Sequence, residues 1–162
     1  MTSTVRPDVS AFFQQYGQAG NVLDIGVLTE CFFDTFLNLD PNVATPVKRE
    51  VLIAALPMRE KLFGSIGAEG LDLTHLRETP LDEMHTLVRT TWAVRFAPDI
   101  GATPLSLDAT FLLRRADGGE WRIVMYLNHH DVQATIREHI ALPADRNADL
   151  FTQLKPLREP RE

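Results

Sequence analysis

Two side chains near the start of the chain have the right types for acid–base chemistry. Tyr16 lies in FFQQYGQAG (residues 12–20) and Asp40 in FLNLDP (residues 36–41), 24 positions later, and each sits beside apolar residues. A phenol and a carboxylate facing one pocket would supply a hydrogen-bond donor for a substrate oxygen and a base for a nearby proton. Placed apart, they are a core tyrosine with its hydroxyl at the rim and the opening residue of an Asp-Pro-Asn turn.

A second group lies late in the chain, in NHHD (residues 128–131). Neighbouring side chains on a strand point to opposite faces, so His129 and His130 do not share an ion. No HxH or HExxH spacing occurs elsewhere, and Cys31 is the single cysteine, so neither a metal nor another cofactor is expected. His129 follows Trp121, Ile123, Met125 and Leu127 in simple alternation, which would turn it and Met125 into any cavity behind the strand. Trp92, on a face with Val88, Thr90, Val94 and Phe96, is expected to line the same space. Phe111 joins it from the Leu107, Ala109, Phe111 and Leu113 face. Arg89 and Arg95 then fall on the outer face of the sheet, where alternation suits a partly polar interface.

The elements that would position these residues follow from periodicity. Asp8 can cap a helix with Val9, Phe12, Phe13 and Tyr16 on its apolar side, ended by Gly17 and Gly20. Asn21 can cap a second helix, with Val22, Ile25, Leu28 and Phe32 as its inner stripe. Two short strands, FDTFLNL and VATPV, flank the turn DPN. A helix over 48–66 follows, with Val51, Leu52, Ala55, Met58, Leu62 and Phe63 as its buried face and Pro57 as a kink. Strands are expected over 71–78, 85–96, 105–115 and 120–130, the last two joined by the hairpin signal ADGG. Asp131 can cap a short last helix. Residues 1–140 read as one domain, and 141–162, with three prolines and many charges, as a C-terminal arm.

Helices segregated from a run of strands give an α+β domain. A long, mostly antiparallel sheet can curl into a cone closed by the first helices, leaving a cavity lined by alternate strand residues. At 162 residues one such core needs no staples. The formal charge of −6 argues against a nucleic-acid partner, whose phosphates call for a basic stripe. No stretch reaches the length of a membrane span or has the form of a signal peptide, so a cytoplasmic protein without a membrane partner is expected.

The order of elements resembles the nuclear transport factor 2-like superfamily, in its SnoaL-like and ketosteroid-isomerase-like branch. The resemblance rests on QQYGQAGNVLDIGVLTECFFD as paired first helices, FLNLDP as the first strand end and LLRRADGGEWRIVMYLNHHD as the closing hairpin, over roughly residues 8 to 131. It implies a cystatin-like cone with a small apolar ligand cavity. For the isomerase-like or polyketide-cyclase-like members it implies Asp40 as general base and Tyr16 as donor to the oxyanion. A third acid on a late strand completes that arrangement, and Asp108 in SLDATF is its candidate, although alternation sets Asp108 opposite Phe111. Two functions stand side by side: a non-catalytic module holding a small apolar molecule, forming a homodimer through the outer sheet face, and an acid–base enzyme using Tyr16 and Asp40.

Overall fold

The computed structural model describes residues 4–65 and 67–140. The arm expected over 141–162 lies outside the described residues. Helix α1 spans Pro7–Val22 and opens with proline in its first turn, where the missing N–H costs nothing. It does not stop at its glycines. Gly17 instead serves close packing: a Cβ there would stand 2.9 Å from the Trp92 ring. The helix ends at Leu23, in the left-handed region at φ 54°. Helix α2, Ile25–Glu30, is capped by Asp24, whose side chain accepts from Val27 N–H at 3.2 Å. Asn21, expected in that role, instead ties α1 to a strand. Its amide donates to the Leu71 carbonyl at 2.9 Å and accepts from Leu71 N–H at 2.8 Å.

Strands β1 (Phe32–Asp40) and β2 (Val43–Lys48) form the first hairpin, followed by α3 (Arg49–Ser65), which carries Pro57 inside it. Of the expected inner face of α3, Leu62 is buried, while Val51 and Met58 are exposed. This helix does not seal against the sheet. Its apolar side stands over a gap, described below.

Strands β3 (Ala68–Pro80), β4 (His85–Phe96), β5 (Leu105–Arg115) and β6 (Trp121–Asn128) complete a six-stranded curved sheet in the order β2-β1-β6-β5-β4-β3. The pairing is antiparallel except between β1 and β6. Helix α4, Val132–Ile140, begins where Asp131 accepts from Ala134 N–H at 3.1 Å. Val9 and Phe13 of α1 pack on Phe32, Phe36, Val88, Phe111, Leu113 and Ile123, and this forms the core.

One irregularity controls which residues of β6 face inward. Leu112 pairs with Met125 and Leu113 with Ile123, so Val124 is an additional residue in β6. Such a bulge shifts the alternation by one position. Trp121 and Ile123 point into the core before it, and Tyr126 and Asn128 point inward after it.

Candidate functional site

Between the concave sheet and the helices lies a cavity of about 730 Å³. Its floor is apolar: Phe32 and Phe36 of β1, Trp92 and Val94 of β4, and Ala109 and Phe111 of β5. Leu52, Leu56 and Phe63 of α3 form the opposite wall, and Val132 and Ile136 of α4 contribute at one end. Exposed Glu60, Lys61 and Glu69 mark where the lining meets solvent.

Tyr16 is part of this lining, caged by rings. Phe12, Phe32, Trp92 and Phe111 lie with centroids 5.7–6.4 Å from its own. Among the described residues its hydroxyl has no hydrogen-bond partner. Burial drives the phenol far above its ordinary pKa, and the neighbouring Tyr126 adds to this. Tyr16 is therefore held protonated, as a donor. Trp92 is fixed differently. Its indole N–H donates to the Thr90 hydroxyl at 2.8 Å, and that hydroxyl donates to the Ala109 carbonyl at 3.0 Å. With its polar atom occupied, the indole offers the cavity an apolar face.

Asp40 also lines the cavity, at the far end of β1. One carboxylate oxygen accepts from Asn42 N–H at 2.7 Å, the bond expected of a turn-opening aspartate. The other oxygen has no partner among the described residues. Asp40 thus combines its turn role with a place on the cavity wall.

Met125 and His129 were expected in the lining and lie outside it. The Val124 bulge places Met125 beside Leu37 and Leu112 on the outer face of the sheet. His129 follows on that side, with Nε2 2.7 Å from the Thr110 hydroxyl. Burial, with the Arg89 guanidinium and the neighbouring His130, lowers its pKa against the opposing pull of Asp108. Asp108 reaches the lining, but its carboxylate is engaged by residues of the outer face. It accepts from the Thr91 hydroxyl at 2.7 Å and lies 3.6 Å from Arg89. The Thr91 bond, with Arg89 and His130, holds its pKa below the usual carboxylate range despite partial burial. A carboxyl kept ionised there does not donate to an oxyanion in the cavity.

Among the polar lining residues of β1 and β6, pattern reading missed three: Asn38, Tyr126 and Asn128. Asn38 is visible in hindsight as an inward position two before Asp40. The other two depend on a bulge for which a run of strand-forming residues gives no signal. Cys31 is buried, and burial raises its thiol pKa to about 11. Among the described residues, no three histidines, cysteines or acids are grouped to hold a metal, and no helix is long and apolar enough to cross a membrane.

No family model matches the sequence, and no curated protein matches it significantly. Solved structures do match. An NTF2-like protein of unknown function from Shewanella oneidensis is 15% identical, covering 76% of this chain and 97% of its own, with a TM-score of 0.62. A protein of unknown function from Mycobacterium tuberculosis is 19% identical, covering 91% and 84%, at 0.66. A scytalone dehydratase-like protein from Novosphingobium aromaticivorans is 12% identical, covering 75% and 80%, at 0.56. A neighbour from Nostoc punctiforme is described as cystatin-like. With these neighbours and its curved sheet, this chain has the nuclear transport factor 2-like, or cystatin-like, α+β fold.

Proposed function

We propose that the protein binds a small, mostly apolar molecule carrying a hydrogen-bond acceptor such as a carbonyl. One observation carries this reading: a cavity of about 730 Å³, within the size range of ligand pockets, is lined by aromatic and aliphatic side chains around the Tyr16 phenol, whose hydroxyl has no partner among the described residues. A guest's carbonyl accepting from the Tyr16 hydroxyl adds one hydrogen bond, worth about 1 kcal/mol, to its apolar contact with the rings. Calorimetric titration with 2-tetralone, a bicyclic ketone, tests the reading. Binding that weakens about tenfold in Tyr16→Phe, one hydrogen bond's worth, supports it. Equal affinity in both proteins removes Tyr16 from the site, and no binding counts against the cavity as a ketone site.

A second reading is acid–base catalysis at the same place. It is favoured by Tyr16 and Asp40 lining one cavity, with one Asp40 oxygen unengaged. Tyr16 would stabilise the developing enolate oxygen while Asp40 takes the α-proton. Its likeness to a scytalone dehydratase-like protein is one of fold alone and names no substrate here.

The outer sheet face suits a homodimer. Leu37, Met125, Leu112 and Leu87 form one row across four strands by register, and the next row runs Leu39, Leu127, Thr110 and Arg89. Apolar residues at the centre with charged ones toward the edge are the composition of a pairing surface, and a second copy is its occupant.

A further inference from the structure

The cavity is not uniformly apolar: besides the polar and charged residues Asn21, Arg59, Glu60, Lys61 and Glu69 of α1, α3 and β3, a separate polar group lies where β1 meets β6. Asn38 and Tyr126 are direct partners across the parallel β1–β6 pair. Two residues further along the same strands, Asp40 and Asn128 also reach the lining. The Tyr126 hydroxyl donates to the Asn128 side-chain carbonyl at 2.9 Å. That bond fixes the amide so that its NH₂ is the group left to offer. Among the described residues neither this NH₂ nor the Asn38 amide has a partner. The Phe111 ring contacts both tyrosines, its centroid 5.7 Å from that of Tyr16 and 4.8 Å from that of Tyr126.

Resting on the ketone-binding reading above, we propose that the guest carries a second polar group, a hydroxyl, recognised by Asn128 and Asn38 where β1 meets β6. A hydroxyl fits both halves of this junction. Its oxygen accepts from the Asn128 NH₂, while its hydrogen goes to the Asn38 carbonyl or to the open Asp40 oxygen. A carboxylate in the same position would meet the Asp40 side chain, an acid like itself, and a plain hydrocarbon would leave the amides unpaired. Tyr126 acts as a positioning residue, holding the orientation of the Asn128 amide.

The test is a set of calorimetric titrations with 2-tetralone and 6-hydroxy-2-tetralone. In the unaltered protein the hydroxyl should tighten binding about tenfold, the size of one added hydrogen bond. In Asn128→Leu the ratio of the two affinities should fall to about one, whatever the parent ketone's own affinity becomes. In Tyr126→Phe, which keeps the ring and frees the amide to rotate, the ratio of the two affinities should fall part of the way toward one. If both ketones bind the unaltered protein equally, or the gain survives in both variants, the hydroxyl subsite is wrong while the cavity stands. If neither ketone binds, the cavity reading and this one fall together.

Discussion

Asp40 carries the sharpest question at the scale of single residues, because it has two roles that one substitution separates. In Asp40→Asn the amide carbonyl still accepts from Asn42 N–H, so the turn at 2.7 Å is kept while the base is removed. If Asp40 moves protons, deuterium exchange at C1 of bound 2-tetralone should fall at least a hundredfold, the scale of a lost general base, with the melting temperature nearly unchanged. Exchange unaffected by the substitution leaves Asp40 as a turn residue alone.

Glu78 makes a separate prediction, about stability. It is 2% exposed and accepts from the Arg6 N–H, the Arg6 guanidinium and the Thr86 hydroxyl. Burial alone would raise its pKa, but these bonds outweigh it and hold the carboxyl below its ordinary value. Arg6→Ala should cost about 2 kcal/mol at pH 7, less than the ~3–5 kcal/mol of a fully orphaned buried charge, because the Arg6 N–H and Thr86 bonds remain. A depressed folded-state pKa contributes stability above the unfolded value, near ~4.3, and loses it as the pH falls through the folded value. The difference between the two proteins in urea unfolding should therefore be full at neutral pH and shrink in acid. A difference that grows in acid would contradict this.

At the scale of elements, Gly17 and Val124 set the cavity's shape. Gly17→Ala puts a methyl 2.9 Å from the Trp92 ring. Overpacking costs about 1–3 kcal/mol and exceeds the roughly 1 kcal/mol that alanine gains in a helix, so the variant should be less stable. Its tryptophan emission should also shift as the indole moves; a more stable variant would mean that the contact relaxes freely. These two residues also mark the limits of reading by pattern. Strand β4 was legible because Val88, Thr90, Trp92 and Val94 alternate without interruption, and the same face is buried in the fold. The helix bounded by glycines was not, because Gly17 meets a need for close approach that arises only when a distant strand is in place. Strand β6 was legible as an element, but not in its facing. One additional residue among β-formers leaves composition untouched and reverses every later side chain. Met125 and His129 were thereby exchanged for Tyr126 and Asn128. Tyr16 lies on a helix before the sheet begins, and Asp40 keeps its turn role although β1 carries its own register shift between Phe32 and Leu37.

For the whole molecule, the cone was readable from element order, while the proposed pairing surface depends on side-chain rows that exist only once the register is set. The row Leu37, Met125, Leu112 and Leu87 sits at the middle of the outer face. Leu112→Glu should leave the cavity side intact and turn a dimer into a monomer in light scattering coupled to size exclusion. A dimer that persists, or an unaltered protein that is monomeric at all concentrations, would remove this surface from the pairing.

The two tryptophans offer the most direct test of a binding cavity. Trp92 lines it, whereas Trp121 lies elsewhere, its indole N–H donating to Asp8 at 2.9 Å and its ring under Arg115 at 3.9 Å. In a ¹⁵N NMR titration with 2-tetralone, the Trp92 indole resonance should move saturably while that of Trp121 stays in place. If the ketone leaves Trp92 unmoved, or shifts Trp121 alone, the space between sheet and helices does not receive this guest.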